Sequence, residues 1–184
     1  MEKNKLNLRK KKLRKTFLEL RNNLASSSRI EANIKISNTL NTLLKDCEGP
    51  IAFYWPMKNE YDPVEVISKW LMKSKSQAAL PVIIEKNAPM KFLSWDTNTI
   101  LEKGIFNLLV PSSSAQEIHP KTIIIPCVGF DSNNYRLGYG GGYYDRTLTN
   151  FSDSKKIGIC YGSCKVSSLE PNEYDIPMDL IICS

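Results

Sequence analysis

The chain has 184 residues, 42% of them hydrophobic and 24% charged, which is typical of one globular domain large enough to bury a core. No apolar run approaches the roughly 20 residues that cross a bilayer, and no signal-peptide pattern is present. These features exclude a membrane-spanning protein, and we predict a cytoplasmic one.

Positive charge is concentrated at the amino terminus. The net charge is +6, and residues 1–15 hold eight Lys or Arg against one Glu, so the rest of the chain is close to neutral. A nucleic-acid surface spread over the body is therefore not expected.

The chain has five cysteines, an odd number, and no CxxC pair, which predicts reduced thiols. The single histidine, His119, falls in a polar loop, which argues against histidine-dependent nucleophilic catalysis.

The first predicted element is a basic helix over residues 6–25. Lys10, Arg14 and Arg21 fall together on one face of it, where they could bind a common ligand. A run of charge is also typical of a solvated helix face, and charge alone favours that reading. The neighbouring face carries an apolar stripe at three- and four-residue spacings. The stripe consists of Leu13, Phe17, Leu20 and Leu24.

Two more helices are predicted from capping signals. One begins near Ser26, with Ser28 and Glu31 as a capping box, and ends before Gly49. The other runs over residues 63–73 and is capped by Asp62. The inward residues predicted for the former are Ile30, Ile34, Leu40, Leu43 and Leu44.

Apolar runs between these helices predict an α/β fold. Strands that alternate with helices form a mostly parallel sheet with helices on both faces, and a hairpin near residues 86–90 predicts an antiparallel strand at an edge. We expect a single domain over residues 1–184, with the basic amino-terminal helix packed on it. The predicted strands are 51–55, 78–84, 90–95, 122–125, 156–161 and 180–183, and the predicted short helices are 97–103, 143–151 and 164–169.

The loop after the first predicted strand is a candidate ligand site. In open α/β sheets, ligands bind at the carboxyl ends of the strands. Trp55 and Met57 could face a flat heterocycle there, and Glu60 could accept hydrogen bonds from ring N–H groups.

The stretch RLGYGGGYYDR, from Arg136 to Arg146, lies between a predicted strand and a predicted helix. Glycine has no Cβ, so backbone N–H groups can converge on an anion, and the start of a helix adds partial positive charge. Both arginines could bind phosphate as forks, and Asp145 could hold a divalent cation beside it. Glycines alone would leave a tight turn packed by tyrosines equally open, and the charged neighbours favour anion binding.

One long signature and three shorter pieces point to a known family. Residues 126–148 read PCVGFDSNNYRLGYGGGYYDRTL, which fits P-x-x-x-F-D, a short insert and R-L-G-x-G-x-G-Y-Y-D. The shorter pieces, in the expected order, are residues 10–14, 54–60 and 175–179. The chain therefore resembles the 5-formyltetrahydrofolate cyclo-ligases. The resemblance implies that ATP and 5-formyltetrahydrofolate, with magnesium, give 5,10-methenyltetrahydrofolate, ADP and phosphate through phosphorylation of the formyl oxygen and ring closure.

The resemblance also implies roles for individual residues. The implied catalytic residues are Arg136, Tyr143 and Asp145, and the implied magnesium ligands are Asp145 and Asp175. The implied ATP-binding residues are Lys10, Lys11, Lys12, Leu13, Arg14, Arg136, Leu137, Gly138, Tyr139, Gly140, Gly141, Gly142, Tyr143 and Tyr144. The implied folate-binding residues are Trp55, Glu60, Tyr139, Gly140, Gly141, Gly142 and Tyr143.

Two alternatives use the same motifs differently. A nucleic-acid-binding module could use the basic amino terminus and the glycine loop as a backbone clamp. A sugar-phosphate enzyme on a similar sheet could bind phosphate without ATP, but it would leave Lys10, Arg14 and Asp175 without a task. We expect instead a monomer that binds small molecules and no nucleic acid. One departure from the family pattern is Val110, which stands where an acidic residue is usual.

Overall fold

The computed structural model of the protein describes residues 2–184, with side chains from residue 4 onward. In chain order the helices and strands are α1 (Glu2–Asn22), α2 (Ser26–Lys45), β1 (Ile51–Ala52), α3 (Val64–Lys73), β2 (Ala78–Val82), β3 (Lys91–Trp95), β4 (Leu101–Lys103), β5 (Leu109–Pro111), β6 (Thr122–Pro126), β7 (Gly129–Asp131), β8 (Arg136–Leu137), α4 (Tyr143–Leu148), β9 (Lys155–Cys160), β10 (Lys165–Val166) and β11 (Leu180–Cys183). Helices and strands alternate only in part, because α1 and α2 are consecutive and, within the described residues 78–137, no α-helix separates the seven strands from β2 to β8.

A six-stranded sheet forms the centre of the fold. Its strand order is β11-β9-β6-β1-β2-β3, and every neighbouring pair is parallel except β2 and β3. The mostly parallel sheet and its antiparallel edge strand are thus confirmed. Strand β6 is central, and its residues Ile123, Ile124 and Ile125 are fully buried because both faces of a parallel sheet are covered.

Helices cover both faces of this sheet, which confirms the predicted fold class. On one face, Leu40 of α2 and Ile67 of α3 pack in one apolar cluster with Ile124 and Ile157 of the sheet. On the opposite face, Leu148 of α4 packs in another cluster with sheet residues that include Ile123 and Ile125. Among the described residues, no helix combines the length and hydropathy that crossing a bilayer requires.

Helix α1 packs on a second, small sheet. This sheet has the order β10-β7-β8, and Phe17 of α1 is buried in an apolar cluster with Phe130 and Leu137 of its strands. A Cβ at Gly129 would overlap the Phe17 ring, so this close approach requires glycine. The predicted apolar stripe of α1 is confirmed at Phe17, and Leu13 and Leu24 are partly buried against apolar clusters, whereas Leu20 is 44% exposed.

Two predicted short helices are wrong. Residues 101–103 form β4, which pairs antiparallel with β5, instead of a helix over 97–103. Residues 165–166 form β10, which pairs with β7, instead of a helix over 164–169. In both places a hydrogen-bonded partner strand, β5 for β4 and β7 for β10, holds the backbone extended, and such pairing overrides local helix propensity.

The start of α2 also differs from the prediction. The helix already begins at Ser26, so Ser28 lies inside it, and no side chain caps its amino terminus. The buried face consists of Ala32, Ile36, Leu40 and Leu44, at four-residue spacing. Ile30 and Ile34, predicted inward, are 61% and 55% exposed. The Asp62 cap of α3 is confirmed, because its Oδ1 accepts a hydrogen bond from the Val64 N–H at 2.9 Å.

Candidate active site

A cavity of about 1220 Å³ opens beside the carboxyl ends of β1, β2 and β6. Pockets for one drug-sized ligand measure about 300–1,000 Å³, so this cavity has room for more than one small molecule. It is lined by parts of α1, of the loop after β1 and of the hairpin β4–β5, together with residues 136–146 and 172–176. Both ends of the sequence therefore meet at one site.

The glycine loop between β8 and α4 forms one wall of the cavity. Gly140 and Gly142 have φ values of 102° and 66°, in the region that favours glycine. The tight strand-to-helix turn predicted here is thus present. Helix α4 has only six residues, so a helix dipole adds little at this wall.

Two arginines lie against this loop. Arg14 of α1 donates from Nε to the Gly138 carbonyl at 2.8 Å. Arg146 of α4 donates from Nη2 to the Gly141 carbonyl at 2.7 Å, and its guanidinium lies 4.9 Å from the centre of the Tyr143 ring. The Nε of Arg146 is buried without a hydrogen-bond partner. Burial lowers the pKa of Arg14, and the nearby Asp175 carboxylate opposes that shift.

Two ion pairs form a second wall. Lys10 Nζ lies 2.6 Å from Asp175 Oδ2, and Arg136 Nη2 lies 2.6 Å from Asp145 Oδ1. Arg136 also donates from Nη1 to the Ile176 carbonyl at 2.9 Å, which joins the two pairs. All four charged residues line the cavity. Lys10 and Arg14 are therefore the two cations of the predicted basic face that reach it.

The donor set for a metal consists of two carboxylates, Asp145 and Asp175. No group of three or more His, Cys, Asp or Glu side chains suited to a metal occurs among residues that the structure describes. Magnesium is commonly held by one or two protein carboxylates, while substrate phosphates and water complete its coordination. The two aspartates fit that mode of binding.

The loop after β1 forms another part of the cavity lining. Trp55 and Met57 line the cavity, as does Glu60. Glu60 Oε1 accepts a hydrogen bond from the Tyr139 hydroxyl at 2.7 Å, and its Oε2 accepts one from the Met57 N–H at 2.8 Å. Burial raises the pKa of Glu60, while these two hydrogen bonds oppose the shift.

Not all residues of the predicted site reach the cavity. Lys11 and Lys12 are exposed, and Leu13 packs in the cluster around Phe17, so none of the three lines it. Arg21 is buried outside the cavity lining. The predicted residues that do line it are Lys10, Arg14, Trp55, Glu60, Arg136, Leu137, Gly138, Tyr139, Gly140, Gly141, Gly142, Tyr143, Tyr144, Asp145 and Asp175.

Sequence reasoning missed the contribution of the hairpin β4–β5. Its tip places Phe106 in the cavity lining, 6.2 Å from Tyr143 between ring centres. Phe106 has a φ of 62°, which is unusual for an aromatic residue. The helix wrongly predicted over residues 97–103 ends before Phe106, and no sequence pattern pointed to this position. Val110 also lines the cavity and packs with Val82 and Leu93, which suits an apolar side chain at this position.

Comparison with known proteins identifies the family. Residues 7–184 match the model of the 5-formyltetrahydrofolate cyclo-ligase family. The chain belongs to that family. The resemblance drawn from the glycine-rich signature is thereby confirmed, and it extends over nearly the whole chain.

Relatives of the cyclo-ligase family match along most of their length. The 5-formyltetrahydrofolate cyclo-ligase of Mycoplasma pneumoniae is 34% identical over 176 residues, which cover 94% of this chain and 97% of the relative. The Haemophilus influenzae cyclo-ligase is 26% identical over 184 residues, which cover 95% and 97% of the two chains.

Solved structures share the same architecture. The 5,10-methenyltetrahydrofolate synthetase of Mycoplasma pneumoniae superposes with a TM-score of 0.76 at 30% identity, covering 94% of this chain and 97% of that one. The corresponding synthetase of Aquifex aeolicus gives a TM-score of 0.78 at 29% identity, covering 95% and 89%. The cyclo-ligase family and its α/β fold thus rest on both sequence and structure.

Proposed function

We propose that this cyclo-ligase uses ATP and magnesium to convert 5-formyltetrahydrofolate into 5,10-methenyltetrahydrofolate, with release of ADP and phosphate. One observation carries the proposal beside family membership. The cation-flanked glycine loop and the loop that carries Trp55 and Glu60 line one cavity, and Tyr139 of the first loop donates a hydrogen bond to Glu60 of the second at 2.7 Å. A phosphate group and a folate ring would therefore bind next to each other in one space.

The nucleotide phosphates would bind at the glycine loop. Backbone N–H groups of residues 138–142 would supply donors, and Arg14 and Arg146 hold their guanidinium groups against the Gly138 and Gly141 carbonyls of this loop. No carboxylate lies within 4.0 Å of either guanidinium among the contacts of the described residues. Both guanidinium groups can therefore donate to phosphate oxygens without first giving up an ion pair, and their geometry matches that of phosphate.

The folate ring would bind at the loop after β1. Trp55 offers an aromatic surface, and the Glu60 carboxylate is an acceptor for ring N–H groups. A pterin edge carries several donors, and a carboxylate accepts two of them in parallel. Tyr139 of the glycine loop and Tyr143 at the start of α4 line the same cavity, so they would lie close to both substrates.

The chemistry then follows from position. The formyl oxygen attacks the terminal phosphorus of ATP, and the bond from that phosphorus to the ADP oxygen breaks. The formyl group is thereby converted into an imino-phosphate, whose carbon is electrophilic. The second folate nitrogen attacks that carbon and loses its proton, and the carbon–oxygen bond breaks to release phosphate. Such steps need alignment and charge neutralisation more than a protein nucleophile, and alignment alone is worth about 7–11 kcal/mol.

Particular side chains of this chain would supply these effects. Arg136 and Arg146 lie at either end of the glycine loop, where they would neutralise charge on the transferred phosphoryl group. Tyr143 would help orient the formyl group. Asp145 and Asp175 would hold magnesium, which supplies neutralising charge at the phosphate oxygens.

We further propose that the enzyme is a cytoplasmic, single-domain monomer that binds no nucleic acid. The five free cysteines support a reducing compartment. Lys10 and Arg14 line the cavity, so part of the amino-terminal charge faces inward instead of forming an outer surface. Light scattering after size exclusion would test the monomer, and retention on immobilised RNA at low salt would contradict the last point.

The test of the proposed reaction follows the absorbance of the methenyl product. Purified protein is mixed with 5-formyltetrahydrofolate, and ATP and magnesium are added singly and together. We expect product only with both, in amounts equal to the ADP formed. Product without ATP, or ADP without product, would contradict the proposal.

A further inference from the structure

Arg21 is a buried cation for which the proposed reaction has no task. It lies on α1, seven residues after Arg14, and its side chain is 3% exposed. Burying a guanidinium is costly unless partners compensate its charge. Its Nη2 donates to the Tyr139 hydroxyl at 2.7 Å, whereas its Nε has no hydrogen-bond partner.

The Tyr139 hydroxyl passes this interaction on to Glu60. Arginine can only donate hydrogen bonds, so the hydroxyl accepts from Arg21 and its own proton is free for another acceptor. That acceptor is Glu60 Oε1 at 2.7 Å, which also lies 4.0 Å from Arg21 Nη1. Arg21 therefore sets the direction of both hydrogen bonds in the series Arg21–Tyr139–Glu60. Its last member, Glu60 Oε1, must be an unprotonated acceptor.

The loop that carries Glu60 needs support from outside itself. Lys58 and Asn59 have φ values of 47° and 61°, a conformation that costs free energy in residues other than glycine. Arg29 of α2 donates to the Asn59 carbonyl at 3.1 Å and to the Arg21 carbonyl at 2.6 Å. The loop and the end of α1 are thus tied together by two arginines.

We propose that Arg21 is a positioning residue, which orients the Tyr139 hydroxyl and thereby holds Glu60 ready to accept the N–H groups of the folate ring. This inference rests on the proposed function, since it takes Glu60 as part of the folate site. Tyr139 belongs to the glycine loop, so the same contact joins the proposed nucleotide and folate sites. Helix α1 would then serve both substrates, with Lys10 and Arg14 toward one and Arg21 toward the other.

The charge balance around Glu60 gives this role a measurable consequence. Burial raises the pKa of Glu60, and the Tyr139 hydrogen bond and the Arg21 charge lower it. Loss of Arg21 would therefore raise this pKa further, so protonation would remove the acceptor at a higher pH. The titratable and charged groups that face Glu60 are Arg21, Lys58, Tyr54, Tyr139, Tyr144 and Cys127.

The experiment measures binding of 5-formyltetrahydrofolate by calorimetry across pH, without ATP, for the unsubstituted protein and for Arg21→Met. Folate affinity should fall as pH drops through the pKa of Glu60. In Arg21→Met the midpoint of that fall should lie about one to three pH units higher, the usual effect of losing a neighbouring opposite charge. Arg21→Lys should restore part of the shift, because it keeps the charge.

Two further variants keep the test sharp. Arg9→Met removes another α1 arginine, which contacts the Ser168 carbonyl and Glu170 away from the cavity; its midpoint should equal that of the unsubstituted protein. Tyr139→Phe keeps the ring but removes the hydroxyl, and it should shift the midpoint upward even if Arg21→Met fails to fold. An unshifted midpoint in either folded variant overturns the inference. No folate binding by the unsubstituted protein overturns the proposed function itself.

Discussion

At the scale of single residues, adjacent lysines of α1 differ in their surroundings. Lys10 is buried against Asp175, whereas Lys11 is exposed and does not line the cavity. Helix periodicity groups Lys10 with Arg14 and not with Lys11, whereas the family resemblance assigned the whole run of residues 10–14 to ATP. Burial and an acidic partner distinguish the residue expected to bind phosphate from its neighbour.

Lys10→Met should weaken binding of a non-hydrolysable ATP analogue by about 10- to 150-fold, the range for one hydrogen bond to a charged group. Folate affinity should change much less, because Lys10 lies beside Asp175 and not beside Glu60. Calorimetric titration with each ligand gives the comparison, and Lys11→Met is the matched control, expected to bind both normally. Equal losses for both ligands in Lys10→Met would place Lys10 elsewhere.

Asp145→Asn should lower magnesium-dependent turnover by about 100-fold or more, an effect expected for losing a group that stabilises the transition state. The fold should survive, because Asp145 is partly exposed at the cavity wall. Steady-state rates over a magnesium series give the measurement, and Asp153→Asn, whose carboxylate is exposed and pairs with Lys121, is the control. Turnover that stays normal at low magnesium would exclude the proposed metal role.

At the scale of elements, predictability follows the range of the interactions. Strand β6 and the turn into α4 were predicted because an apolar run and a glycine cluster determine them locally. The first strand of the hairpin β4–β5 was wrongly predicted as a helix, because residues 101–103 are held as a strand by pairing with residues 109–111, which lie beyond Gly104. Likewise, the predicted apolar face of α2 was only partly correct, since packing against α3 and the sheet selects the buried set.

The docking of α1 on the small sheet makes a prediction at this scale. Gly129→Ala should lower the free energy of unfolding by about 1–3 kcal/mol, because its Cβ overlaps the Phe17 ring and forces the helix outward. Affinity for both ATP and folate should fall together, since Lys10, Arg14 and Arg21 move with the helix. Urea unfolding and ligand titration measure these effects.

The double variant Gly129→Ala/Phe17→Leu is the control for that mechanism. A smaller side chain at position 17 makes room for the added methyl group, so part of both losses should be recovered. If the second substitution only adds to the destabilisation, the overlap with Phe17 is not its cause.

At the scale of the whole molecule, the site draws on both ends of the chain. Residues 10–14 and residues 172–176 meet across the cavity through the contact of Lys10 with Asp175. No local pattern predicts such a meeting, and only the family resemblance gave Asp175 a role before the fold was known. Arg21 was grouped with Lys10 and Arg14 on one helix face, but neither the helix period nor the resemblance linked it to Tyr139 and Glu60, which are far away in sequence.

Ligand binding should therefore stabilise the whole fold. An ATP analogue at 100 times its Kd adds about 2.7 kcal/mol to the free energy of unfolding. For a chain of this size that raises Tm by about 5–10 °C. Scanning calorimetry should show this shift with the analogue and a separate one with folate, and Lys10→Met at the same concentrations should lose mainly the former. An unchanged Tm in the presence of the ATP analogue would contradict nucleotide binding at this cavity.

The contacts of 2.6 Å that Asp145 and Asp175 make with Arg136 and Lys10 bear on the form in which metal would enter. A bare divalent ion would have to evict a guanidinium or an ammonium group and leave it stranded without a counter-ion. A metal that arrives bound to a triphosphate brings phosphate oxygen atoms, which can serve as counter-ions for the displaced guanidinium and ammonium groups. We therefore expect the chelate to be admitted far more readily than the free ion, so the protein alone should show little affinity for magnesium.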